Sequence, residues 1–379
     1  MRLLNTKTRE LFNVRSDYPE YAVLSHRWDA EEYVCKDLME YSRTSKKIQG
    51  FCDLLEKMGI QYCWADVCCL DMTSRSELNE ATVSMYSLSK NATLNCVHLS
   101  DIDESMESCA NSRWFTRSWA MAELLAPKPD RMFFFDRTWK PLGSKRDLSE
   151  TISKATGVPV DVLTHRRDPM SATIGEKLSW ASDKDASNQE DHIYALISLL
   201  GLPMDMRPGE GKAVATMRMQ KHILGNLEDY TVLMLKRPLG IARRPPEEME
   251  DPELQMEQPS WSQLDLHSPI DLVSTKPLSK YLPKLHKPPD SPQLTGRGLR
   301  VTLLAKRVDS YLIAWTYCTQ VRSGKVYAVC IRVVPVDSAS DTQNAYFRGN
   351  TNGLVCYVAE DRLRSFQYKD VYFDINPDA

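Results

Sequence analysis

No stretch of this 379-residue chain stays apolar for the roughly 20 residues that a membrane-spanning helix needs, so no membrane partner is expected. A basic excess is also missing. Lysine and arginine number 48 against 51 aspartates and glutamates, a net charge of −3. Dedicated nucleic-acid binders carry surplus cations to neutralise phosphates, so no nucleic-acid partner is expected either. Ten cysteines are present, none at C-x-x-C spacing, which removes the usual signature of a tetrahedral zinc site. Cys63, Cys68, Cys69 and Cys96 lie in apolar runs and read as buried free thiols instead of a disulfide scaffold. The opening MRLLNTKTRELFNV is interrupted by Arg2, Lys7, Arg9 and Glu10 and lacks the apolar core of a secretory signal, so a reducing, cytoplasmic location is expected. PGEGKAV is not a phosphate-binding P-loop, because Met206 occupies the position of the first glycine and Ala213 that of the Ser or Thr.

What is present is ordinary globular composition, 42% hydrophobic and 26% charged, at a length that suggests two domains or one enlarged one. Short apolar runs alternate with helical patterns. Strands are expected at 21–25, 62–67, 93–100 and 131–136, and helices near 44–58, 76–89 and 147–156, with a further helix in SRWFTRSWAMAELLAP. Runs apolar on both faces, separated by helices, predict a parallel sheet covered by helices over 1–157. From 158 to 240 the spacing of apolar residues turns helical, as in QEDHIYALISLLGL. Between 241 and 295 proline and charge dominate, which predicts a linker or wrapping segment. From 296 to 379 alternation in LRVTLLAKRV, VYAVCIRVV and VYFDI predicts a mostly antiparallel β module.

In parallel sheets ligands sit beyond the carboxyl ends of the strands. Here those ends read Ser25-His26-Arg27-Trp28-Asp29, Asp66 to Asp71, and Ser100-Asp101. Glu123 is the one carboxylate in SRWFTRSWAMAELLAP and follows Trp119 by four residues, which puts both on one helical face. A carboxylate against an indole is desolvated and its pKa rises. The alternative for Glu123 is a partly exposed glutamate on an amphipathic helix. Ser25, His26 and Asp66 invite a hydrolase triad, but there is no G-x-S-x-G elbow and the serine closes a strand. Asp66 and Asp71 stand where turn and cap residues also stand. Asp191, Gly209 and Gly211 read as structural, Arg113 as a residue at the mouth beside Glu123, and Trp114 as either mouth or core.

Taken in order, YAVLSHRWD, YCWADVCCLD, LSD at 99–101, SRWFTRSWAMAELLAP, FFDRTWKPLG and SWASDKDASNQEDHIYALISLLGL resemble the blocks of the fungal heterokaryon-incompatibility (HET) domain, and GRGLRVTL resembles a stretch that often follows it. Asp29, where glycine is usual, adds a side chain at the strand-end turn; Ala65-Asp66, Met72 and MRPGEG (206–211) also depart from the pattern. More distantly, YAVLSHRWDAEE and the run from ELNEATVSMYSLSKN to SRWFTRSWAMAELL resemble a TIR domain. The resemblance implies a TIR-like, flavodoxin-like α/β fold with a helical extension and a β-rich C-terminal module. It also implies a role in fungal self/non-self recognition, an innate immunity ending in programmed cell death. In TIR enzymes a glutamate cleaves NAD at the nicotinamide–ribose bond, and it aligns with Glu123. The resemblance therefore implies NAD as substrate and no separate cofactor. Ser25, His26, Arg27, Trp28, Asp66, Arg113 and Trp119 would surround the dinucleotide, Arg27 on the pyrophosphate and Trp28 stacked on a ring. For Arg27 and Trp28 the alternative is a turn in which Arg27 pairs with Asp29, Glu31 or Glu32 and Trp28 caps the core. Homo-oligomerisation, with a neighbour completing the site, and a protein trigger are the implied partners; a non-catalytic adaptor is the alternative function.

Overall fold

The computed structural model describes residues 1–15, 18–28, 45–103, 107–181, 184, 186, 190–202, 204–226, 290, 293–295, 298–308, 311–322, 325–335, 347–349, 355–359, 363 and 365–373. Asp29, Glu31, Glu32 and almost all of the Pro-rich segment 241–295 lie outside the described residues. The chain divides into two units, Met1–Ala172 with Trp180–Lys212, and Thr173–Ser179 with Ala213–Ala379.

The first unit is built on β1 (Arg2–Asn5), β2 (Leu11–Asn13), β3 (Tyr21–His26), β4 (Tyr62–Trp64), β5 (Leu94–His98), β6 (Met132–Phe135) and β7 (Pro141–Ser144). They form one sheet in the order β2-β1-β4-β3-β5-β6-β7. The central β4, β3, β5 and β6 are mutually parallel, with Ser25 opposite Val97 and His26 opposite His98. Among these four, the chain order second-first-third-fourth is the flavodoxin-like one, with its switch point between β3 and β5. The edges are antiparallel: β1 pairs with β2 and β4, and β7 with β6. The expected parallel sheet is thus the centre of a mixed one. Its edge strands were missed because they are three or four residues long and carry no alternation of their own.

The helices follow from their caps and apolar stripes. Ser45 caps α1 (Lys46–Lys57), whose Ile48, Phe51, Cys52 and Leu55 are buried at three-to-four spacing. A single turn, α2 (Asp66–Cys69), follows β4, and Ser74 caps α3 (Arg75–Asn91). The short α4 (Ala120–Leu125) is buried at every position. Next come α5 (Ser149–Thr156), α6 (Val160–Leu163), α7 (Ile174–Ala181) and α8 (Asp191–Leu200), the last ending at Gly201 with φ 64°. Right-handed crossovers place α1 on one face of the sheet and α3 and α4 on the other, where α8 packs against both. On the α1 face the backbone of Gly50 lies against Trp139, whose ring stacks on Phe51 at 5.7 Å.

The second unit contains most of α7, most of α9 (Gly211–Asn226), and β8 (Gln293–Thr295), β9 (Gly298–Val308), β10 (Tyr311–Arg322), β11 (Lys325–Pro335), β12 (Phe347–Gly349), β13 (Val355–Ala359) and β14 (Gln367–Phe373). The order β10-β11-β12-β14-β9-β8, with β9 also paired to β10, links β9, β10, β11, β12 and β14 in a closed circuit of pairings, with β8 added on β9 and β13 on β11. Every pairing except β12 with β14 is antiparallel, and Leu304, Ile313, Trp315, Ala328, Cys330, Val358, Leu363 and Phe366 fill the core.

Candidate functional site

Successive side chains of a strand point to opposite faces, so β3 sends Ser25 toward α4 and His26 toward α1. Both lie at the carboxyl end of β3, beside the switch point. Ser25 meets the turn Arg113–Thr116, which is built by local hydrogen bonds. Ser112 Oγ accepts from the Trp114 N–H at 3.2 Å and donates to Asp101 Oδ1 at 2.7 Å; Asp101 Oδ2 accepts from the Arg113 N–H at 2.8 Å. Burial works upward on Asp101, but these donors hold its carboxyl below the usual range. The turn seats Trp114 in a cluster with Phe115 and Phe134, edge-to-face at 5.0 and 5.9 Å.

From that seat the indole Nε1 donates to Ser25 Oγ at 2.8 Å, and the Ser25 hydroxyl donates to Glu123 Oε2. An indole, a hydroxyl and a carboxylate thus form one directed chain. Arg117 stands beside it, its guanidinium donating to the His26 carbonyl and lying 3.8 Å from Glu123 Oε2. Glu123 is only 7% exposed. Burial raises its pKa; Arg117 and the Ser25 hydroxyl pull it down, and Asp66 pushes it up. The alternative of a partly exposed glutamate is therefore wrong, because α4 is sunk between the sheet and its covering helices and has no solvent-facing side. Its length of six residues hid this, since so short a helix has no readable polar stripe.

On the other side of β3, Asp66 gathers the remaining groups. Its Oδ2 accepts from Trp28 Nε1 at 2.9 Å, and its Oδ1 accepts from the Val67 N–H at 2.8 Å and lies 3.9 Å from His26 Nδ1. Trp28 and Asp66 are thus hydrogen-bonded to each other. Arg27 donates to the Arg113 carbonyl at 3.4 Å, and the Arg27 carbonyl accepts from Lys47 at the same distance. Arg113 is mostly solvent-exposed, with Nε 3.5 Å from Asp101. Trp119 is half-buried at the cap position of α4, and the indole tied into the carboxylate's hydrogen-bond chain is Trp114. Neighbouring His98 is buried, with its ring 4.6 Å from Trp139 and its pKa lowered by burial to about 4.

The fold therefore brings Ser25, His26, Asp66 and Glu123 together at one end of the sheet, with Trp28, Arg27 and Arg113 around them. No Ser–His–Asp relay forms, since the Ser25 hydroxyl donates to Glu123 and His26 faces the opposite side. Asp71 makes a turn, accepting from the Thr73 N–H and hydroxyl. Sequence reasoning missed Arg117 and the linking role of Trp114. The available signal was their position between the strand end and Glu123 in SRWFTRSWAMAELL. Among the described residues Cys52, Cys63, Cys68, Cys69, Cys96, Cys109 and Cys330 are buried and form no disulfide, no cluster is arranged to hold a metal ion, and no helix is long and apolar enough to cross a membrane.

Residues 21–113, from the start of β3 to the turn before Trp114, match the family model described as "Heterokaryon incompatibility protein (HET)". Over 222 residues, 54% of its length, the chain is 31% identical to the vegetative incompatibility protein HET-E-1 of Podospora anserina. That match spans only 16% of the relative's length. No solved structure matches the chain significantly.

Proposed function

This chain carries a HET domain, and on that premise we propose that it acts in heterokaryon incompatibility, with the Ser25–Glu123 pair as the centre of a reaction that cleaves the nicotinamide–ribose bond of NAD. The observation that carries the reading is the buried carboxylate at the strand-order switch, where doubly wound sheets bind nucleotides. Breaking a ribosyl bond builds positive charge on the sugar, as in glycoside hydrolysis. A carboxylate held in a low-dielectric site either grips the ribose hydroxyls or stabilises that charge. Arg117, 3.8 Å away, favours the ionised form, and the Ser25 hydroxyl orients Oε2. Arg27 and Lys47 supply cations for the pyrophosphate near the end of β3. Because Glu123 is nearly sealed, a second copy packing at this end would be what opens and completes the site; the product then tracks assembly.

The same burial favours a second reading, that the Ser25–Glu123–Arg117 group is a structural knot in a non-catalytic adaptor. Release of nicotinamide from NAD by the purified full chain separates them. Glu123→Gln should abolish release while the protein stays folded; absence of release from the parent chain at any concentration leaves the adaptor.

A further inference from the structure

Lys145 follows β7 and is fully buried. Lysine is almost never found so without a counter-charge. Among the described residues it has no carboxylate partner. Its Nζ donates to the Leu124 carbonyl at 2.9 Å and to the Pro127 carbonyl at 2.6 Å, both at the C-terminal end of α4, the helix that carries Glu123. Its third neighbour is His165 Nε2, at 3.4 Å. That same Nε2 lies 3.0 Å from the Leu125 carbonyl. A carbonyl oxygen only accepts, so Nε2 carries the ring proton and donates it there. A third N–H on Lys145 would then meet an N–H, whereas an amine lone pair would meet a donor.

We propose that Lys145 is held as a neutral amine and that, with His165, it forms a proton-dependent clamp on the C-terminal end of α4. As the amine, Lys145 donates to Leu124 and Pro127 and its lone pair faces the His165 N–H, which is shared with Leu125. On protonation, the third ammonium hydrogen forces His165 to give up its Nε2 proton to the other ring nitrogen, and the Leu125 carbonyl loses its donor. One proton taken up at Lys145 thus releases one of the three carbonyl contacts that fix the end of the Glu123 helix. Burial acts in the same direction, pulling Lys145 down to about 7 and His165 to about 4. The charged groups around the clamp are few. Asp168 and Lys90 act on His165 from beyond it, and neighbouring Arg146 is engaged outward with Asp130 at 2.6 Å. The effect on Glu123 rests on the proposed NAD reaction; the titration itself does not.

The test is a pH titration of the full chain with labelled lysine side chains, read by nuclear magnetic resonance and without NAD. One lysine should titrate about three units below the others, near 7. Its signal should vanish in Lys145→Met. If that variant fails to fold, His165→Gln serves instead and should shift that one midpoint while leaving the remaining lysines in place. All lysines titrating together near 10.5, or a low midpoint indifferent to His165→Gln, would overturn the clamp. Where NAD cleavage is present, its pH profile should show a step at the same midpoint. Cleavage without the step overturns the coupling alone, and absent cleavage bears only on the reaction.

Discussion

Removing the Ser25 hydroxyl perturbs the candidate site at its hinge. In Ser25→Ala the indole N–H of Trp114, a residue 1% exposed, loses its acceptor, and Glu123 loses its hydroxyl donor. An orphaned buried donor costs about 1–3 kcal/mol and a hydrogen bond to a charged group contributes about 1.5–3 kcal/mol, so a loss of about 3 kcal/mol is expected. A double-mutant cycle with Glu123→Gln separates the two parts. Glutamine keeps an acceptor of the same shape but not the charge, and neutral hydrogen bonds are about half as strong as charge-assisted ones. Ser25→Ala should therefore cost about 1 kcal/mol less in the Gln background than in the parent. The assay is urea unfolding of all four proteins at one alkaline pH, the direction that favours the ionised carboxylate. A coupling energy indistinguishable from zero would refute the argument that the hydroxyl acts on the carboxylate's charge.

Three further expectations follow from the same geometry. Because the folded pKa of Glu123 lies above its ordinary 4.5, the native state holds this proton longer than the unfolded chain. Its stabilisation is full below the unfolded pKa and is lost as pH rises through the folded one, so Glu123→Gln should flatten the fall in melting temperature with pH; an unchanged slope contradicts the assignment. Gly50→Ala would set a Cβ 2.4 Å from Trp139 Cδ1 and Nε1. Alanine favours the helix by about 1 kcal/mol but the overlap costs about 1–3 kcal/mol or more, so calorimetry should show a net loss, and a gain would mean that the indole moves aside freely. Finally, nicotinamide release per chain should rise with protein concentration as light scattering reports assembly; constant turnover from a persistent monomer excludes a site completed by a second copy.

The sequence by itself determined the alternation of central strands and helices, since hydrophobic runs apolar on both faces leave few other folds open. YAVLS, TLNCVHLS and RMFFFD each fell within two residues of the observed strands, and the helices expected near 44–58 and 76–89 lie over α1 and α3. It also singled out the strand-end residues and Glu123, because a carboxylate among aromatic and aliphatic neighbours violates local pattern. Only the tertiary structure decided what those groups touch. Ser25 and Glu123 are 98 positions apart and Trp114 and Ser25 are 89, so no local periodicity relates them. The burial of Glu123 comes from the sheet beneath α4 and the helices α3 and α8 packed against it, elements contributed by distant parts of the chain. The same holds for Lys145, which reads in GSKRDL as an ordinary surface lysine. Its burial arises because the end of α4 and the loop after α6 close over a single strand end, and a sequence lists neighbours along the chain, not those that exclude water.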